Sequence, residues 1–195
     1  FMKKIKKFLF FILFVTVSIN LKAQKADSAY VSSNYNMSEY FVEMRDGVKL
    51  YTIVYTPKDN SKKYPILINR TCYNISGRKN YKLYTPSAYL IHDGYILVYQ
   101  DVRGRYMSEG KFDNMRPNIP GNDVKNKEDI DESSDTYDTI DWLVKNIKGN
   151  NGRVGIYGIS YPGFYSAAAL PDAHQALKAV SPQAPIADFF FDDFH

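Results

Sequence analysis

Three short apolar runs bounded by turn residues restrict the fold of this chain more than any other feature. They are YPILINR at 64–70, GYILVYQDVRG at 94–104 and GRVGIYGIS at 152–160. Runs of this kind are expected of strands buried on both faces, as in a parallel sheet covered by helices. ALKAVSPQAP at 176–185 is expected to add a fourth. Helical patterns separate them, one expected around 84–92. A clearer one can be capped by Ser134 or Asp135. It carries Ile140, Leu143, Val144 and Ile147 at i, i+3, i+4 and i+7, and ends at Gly149. Upstream, EYFVEMRDGVKLYTIVYTP at 39–57 sets two β-rich stretches around Asp46-Gly47, a hairpin signal. The expected architecture is a mostly parallel, mixed sheet with flanking helices and an antiparallel hairpin at its edge. The polar stretch 105–134 is long for a loop, and both a functional excursion and a solvated one fit it.

Charge and cysteine content narrow the class. The formal net charge is +4, but residues 1–23 hold five lysines and no acid. The remainder carries 20 basic against 21 acidic residues, so attraction to nucleic acid has no support. The first 23 residues read as an export signal. MKKIKK is its positive region, FLFFILFVTVSI at 8–19 its apolar region, and LKA at 21–23 ends in a small residue before Gln24. Twelve apolar residues fall short of the roughly 20 that span a bilayer. Cleavage after Ala23 would give a secreted or periplasmic protein with no stable membrane insertion. Residues 24–38 then read as a flexible mature N-terminus. One cysteine, Cys72, allows no internal disulfide, and nothing beside it in sequence would activate it as a nucleophile.

GISYPG at 158–163 places Ser160 between a strand pattern and a helix pattern. Gly158 permits a tight turn, and Pro162 suits the first helical turn. FYSAAAL continues the helix, and Pro171 stops it. A sharp strand-to-helix turn of this kind lifts a serine hydroxyl clear of a sheet and can aim the next backbone N–H at a developing oxyanion. An ordinary turn serine is the bland alternative.

GRVGIYGISYPG, with DVRGRYMSEGKF upstream and ALKAVSPQAPIADFFFDDFH downstream, resembles the CocE/NonD hydrolase family. That family groups α-amino-acid ester hydrolases, glutaryl-cephalosporanate acylases, cocaine esterase and Xaa-Pro dipeptidyl-peptidases. The resemblance covers residues 39–195 and implies an α/β-hydrolase fold. It implies Ser160 as the acyl-accepting nucleophile and the Tyr161 backbone N–H as half of an oxyanion hole. It also implies the hydroxyl of Tyr73, in NRTCYN, as the other half. Here the second glycine of the general G-x-S-x-G pattern is displaced by one position, to Gly163. Asp188, Asp192 and Asp193 offer carboxylates of the kind with which the family's α-amino-acid ester hydrolases bind a substrate ammonium, but a loop or helix cap suits them better.

A serine hydrolase of this fold takes its triad in the order Ser, Asp, His. After Ser160 come Asp172, His174, Asp188, Asp192, Asp193 and His195, none far enough along the chain. His174 is expected on the surface beside the elbow helix, and His92 precedes the serine. The reading is therefore an N-terminal α/β-hydrolase part over 39–195. The sheet is expected to stop after the elbow helix and the next strand, with the triad Asp and His beyond His195. The whole protein is expected to cleave a small-molecule ester, amide or peptide: an α-amino-acid ester, an acyl-peptide or an Xaa-Pro substrate. No cofactor or metal is needed, and a homo-oligomer of the whole protein is admissible. The 195-residue chain alone is expected to hydrolyse nothing. A secreted, non-catalytic binding module is the competing class.

Overall fold

A computed structural model describes residues 28–81, 88–121, 126–186 and 188. The expected export segment, residues 24–27, Asp192, Asp193 and His195 lie outside the described residues. Among the described residues no helix is long and apolar enough to cross a membrane.

Six strands form one sheet: β1 (Tyr35–Glu43), β2 (Lys49–Pro57), β3 (Tyr64–Thr71), β4 (Ile96–Asp101), β5 (Asn150–Ile159) and β6 (Leu177–Gln183). Their spatial order is β1-β2-β4-β3-β5-β6. The expected hairpin is β1–β2, and β2 also runs antiparallel to β4. The apolar runs form β3, β4, β5 and β6, mutually parallel. Crossing helices join them, because parallel neighbours cannot be linked by a tight turn. These are α2 (Ala88–His92), α3 (Glu132–Asn146) and α4 (Tyr161–Ala167).

The sheet is covered on both faces, as the unbroken apolar runs require. Ile66, Ile68, Ile96, Val98, Val154 and Ile156 pack on Ile140 and Leu143 of α3 and on Ile147 just past its end. The alternate residues Leu97 and Tyr99 turn to the other face. There they meet Tyr35, Tyr51, Ile53, Tyr55, Ile75 and Ile91. β4, in the middle, is buried at every position. β6 lies at an edge and is largely exposed.

Three expectations are corrected. Residues 28–34 form a helix, α1, and β1 begins at Tyr35, so residues 28–38 of the supposed flexible stretch are ordered. Val31 and Tyr35 are its buried anchors, and the Tyr35 hydroxyl donates to the carbonyl of Ile91 at 2.7 Å. The cap of α3 is Asp131, neither Ser134 nor Asp135. Asp131 Oδ1 accepts from Ser134 N at 2.7 Å, and Ser134 Oγ accepts from Asp131 N at 2.8 Å, a reciprocal capping box. His174 is buried rather than on the surface, for reasons given below.

The stretch 105–134 is fastened to the fold. Phe112 and Met115 pack against Tyr161 and Tyr165 of α4. Asn118 Nδ2 and Ile119 N both donate to Asp131 Oδ2 at 2.8 Å. The solvated reading fails for these residues.

Candidate active site

In an open parallel sheet, ligand sites lie beyond the carboxyl ends of the strands. Here that edge carries Tyr73 after β3, Asp101 and Arg105 at the end of β4, and Ser160 after β5.

Ser160 joins β5 to α4 with φ 61° and ψ −123°. Few non-glycine residues adopt this backbone, and holding it costs about 1–3 kcal/mol. Its N–H donates to the carbonyl of Gln183 on β6 at 3.0 Å, and its carbonyl accepts from Phe164 N at 3.1 Å. Serine at a helix N-cap normally folds its hydroxyl back onto the helix. This hydroxyl makes no such bond, and the residue is exposed. The flanking glycines are forced by contact. A Cβ on Gly158 would stand 2.0 Å from the carbonyl oxygen of Pro162, and one on Gly163 2.7 Å from that of Gln183. Only glycine lets β5, α4 and β6 meet this closely.

Tyr161 is the first residue of α4, where backbone N–H groups have no acceptor within the helix. Its ring is buried against Cys72, Val102 and Tyr165. Its hydroxyl donates to Asn114 Oδ1 at 2.8 Å, so the side chain serves packing. Tyr73 follows Cys72, two residues past β3, with its side chain 57% exposed. β3 and β5 are neighbours, and Asn69 Nδ2 still bridges to the Tyr157 carbonyl at 3.0 Å. Tyr73 and Ser160 thus leave adjacent parallel strands at the same end.

Cys72 is buried, and that burial pushes its thiol above the ordinary range, which leaves it unreactive. His174 serves the fold. Its Nδ1 accepts from Ala176 N at 3.0 Å, and its Nε2 faces Asp141 Oδ1 at 3.6 Å. Its ring meets Tyr137 edge-on. It is 5% exposed. Its neighbour Ala176 pairs with Val154, six residues before Ser160, or about 20 Å of strand. His92, at the end of α2, packs its ring against that of Tyr30, tilted by 45°. Asp172 lies past α4, exposed, at φ 49°, and Asp188 is exposed.

Beneath the edge runs an ionic network that the sequence reading did not foresee. Arg70, fully buried, donates through Nε to Gln100 Oε1 at 2.9 Å and through Nη1 to Thr136 Oγ1 at 2.6 Å. The same Nη1 lies 3.4 Å from Glu132 Oε2. Burial pushes Glu132 up to about 7 against the pull of Arg70. Arg103 clasps Asp135 and Asp46, each at 2.6 Å. Burial also pushes Asp101 up to about 6, opposed by the N–H groups of Ile75 and Met107. Charged residues inside apolar runs, in INR and YQDVR, are the only sequence signal of this network.

The family model for X-Pro dipeptidyl-peptidases (S15 family) matches residues 46–195. Cocaine esterase of Rhodococcus sp. (strain MB1 Bresler) is 30% identical over 167 residues, 82% of this chain and 25% of that protein. Among solved structures, an α-amino acid ester hydrolase is 41% identical with a TM-score of 0.69, covering 82% of this chain and 27% of that one. An aminopeptidase from a marine sediment archaeon, Thaumarchaeota archaeon, is 40% identical with a TM-score of 0.71 over the same shares. A CocE/NonD family hydrolase from Staphylococcus aureus, 22% identical with a TM-score of 0.61, shares the fold over 80% of this chain and 29% of that one. The chain spans about a quarter of the length of these relatives. Its sheet order, its flanking helices and these matches agree: the chain belongs to the X-Pro dipeptidyl-peptidase (S15) family of hydrolases and has the α/β-hydrolase fold.

Proposed function

We propose that this chain supplies the nucleophile and the oxyanion-binding groups of a serine hydrolase. Ser160 Oγ attacks the carbonyl carbon of an ester or amide. The tetrahedral alkoxide is held by the Tyr161 backbone N–H and the Tyr73 hydroxyl. Collapse expels an alcohol or amine and leaves an ester on Ser160, which water then hydrolyses. The histidine that takes the Ser160 proton, and the aspartate that orients it, come from sequence beyond His195. One observation carries this reading: the strained, uncapped, exposed backbone of Ser160 between two glycines that contact forces. Strain of that kind persists where the surrounding structure over-determines it, and it clusters at active sites.

The substrate proposal is an acyl group bearing an α-amine, as an ester or a peptide. Two relatives at 40% identity or above support it by name, one an α-amino acid ester hydrolase and the other an aminopeptidase. Export is proposed from the first 23 residues, and N-terminal sequencing of mature protein starting at Gln24 would establish it.

The test is hydrolysis of p-nitrophenyl acetate and of amino-acid p-nitrophenyl esters by the full-length protein. Wild type turns both over, with higher kcat/KM for the amino-acid ester. Ser160→Ala loses at least about 10³-fold in kcat. Undiminished turnover by Ser160→Ala would end the proposal.

A further inference from the structure

The run DVRGR at 101–105 closes into a compact loop after β4. Arg105 N donates to Val102 O at 3.1 Å, Ser108 N to Arg105 O at 2.9 Å, and Gly104 N to Glu109 O at 2.8 Å. Ser108 Oγ donates back to the Asp101 carbonyl at 2.6 Å. Gly104 has φ 68°, and a Cβ there would stand 2.0 Å from Phe112 N, so the loop has no slack at that point. Arg103 bolts it to two other elements, to Asp135 of α3 and to Asp46 of the β1–β2 turn.

From this fixed base three groups reach the turn that carries Tyr73. Val102 N donates to the Thr71 carbonyl at 3.0 Å. Arg105 Nε donates to the Cys72 carbonyl at 3.1 Å. Asp101 Oδ1 accepts from Ile75 N at 3.0 Å. These contacts bracket Tyr73 on both sides, while its side chain stands out at the strand edge. The guanidinium of Arg105 is itself held over the rings of Phe112 and Tyr106, at 4.8 and 5.2 Å. Asp101 is fully buried, and its second oxygen, Oδ2, has no hydrogen-bond partner. An acid kept in this state is costly to stability, and buried polar groups left unsatisfied in this way are uncommon.

We propose that Asp101 and Arg105 are positioning residues that fix the turn 71–75, and so hold the Tyr73 hydroxyl where the oxyanion forms. This rests on the reading of Tyr73 as an oxyanion donor. A donor on a long side chain is useful only if its backbone is held to about half an ångström. Displacement by about 1 Å costs on the order of 10²-fold in rate.

The experiment is a set of mutant cycles in the full-length protein, read as kcat and KM on an amino-acid p-nitrophenyl ester. Tyr73→Phe lowers kcat by about 10²-fold. Asp101→Ala and Arg105→Met each lower kcat by about 10-fold with KM within about twofold. Neither slows the enzyme further in the Tyr73→Phe background, because both act through that hydroxyl. Asp101→Asn recovers most of the rate, since its amide oxygen still accepts from Ile75 N–H. If Asp101→Ala does not fold, Arg105→Met, at a half-buried position, carries the same cycle. Losses that multiply with Tyr73→Phe overturn the positioning role. So does an Asp101→Asn variant as slow as Asp101→Ala, which would mean that the charge is what matters. A Tyr73→Phe variant at wild-type kcat overturns the oxyanion assignment itself, and the positioning role falls with it.

Discussion

The backbone N–H of Ser160 donates to the carbonyl oxygen of Gln183 at 3.0 Å, tying the elbow to the strand beside it. The same carbonyl oxygen is the atom that a side chain at Gly163 would strike. β6 therefore holds the Ser160 backbone from one side, while Gly158 lets α4 close on it from the other. The elbow is a product of three elements.

The first expectation concerns Gly158. A methyl at this position meets the Pro162 backbone, which cannot yield without breaking the turn. Gly158→Ala should lower unfolding stability by at least about 3 kcal/mol, read by urea denaturation. A loss under about 1 kcal/mol would mean that the turn is less tight than described.

Ser160 offers a cleaner probe of strain. Its φ and ψ suit glycine better than any residue with a Cβ. Ser160→Gly should be more stable than Ser160→Ala by about 1–2 kcal/mol. Equal melting curves would remove the evidence for stored strain.

Asp101 predicts a pH dependence. Its carboxyl titrates near 6 in the folded chain, above the ordinary value of about 3.9 in an unfolded one. Between those values the folded state binds more protons, so this group's contribution to stability falls as pH rises from about 4 to about 6 and stays low above. Asp101→Asn removes that penalty. Its melting temperature relative to wild type should rise between pH 4 and pH 7.5. A difference that does not change with pH would contradict the raised value.

Arg70 tests the buried network. Arg70→Met leaves the buried Glu132 without its cation, while Asp135 keeps its pairing with Arg103. A cost of about 3–5 kcal/mol is expected, since an acid stranded in the interior is worse than a pair. The double variant Arg70→Met, Glu132→Gln should recover part of it.

The strands, the hairpin, the core stripe of α3 and the elbow were all legible in the sequence, because each is set by local periodicity or turn chemistry. What escaped depends on partners far along the chain. His174 sits in an irregular connection with no periodicity, so its burial against Tyr137 and Asp141 left no trace. α1 is polar in composition, and Val31 and Tyr35 anchor it only because α2 and β2 are there to receive them. The cap of α3 was misplaced by three or four residues, because its box uses Ser134 where Glu or Gln is usual. Of the site, Ser160 and Tyr161 stood out by pattern. Tyr73 was one of 17 tyrosines and was singled out by resemblance alone. The loop that grips its turn became visible only through contacts at and beyond the ends of β3 and β4.

Fluorophosphonate labelling of the full-length protein, followed by peptide mass mapping, tests whether Ser160 is an activated nucleophile. One stoichiometric adduct is expected, on the peptide containing Ser160, lost in Ser160→Ala and slowed by about 10-fold or more in Tyr73→Phe. An adduct on another serine, or none under conditions where the protein hydrolyses an ester, would contradict it.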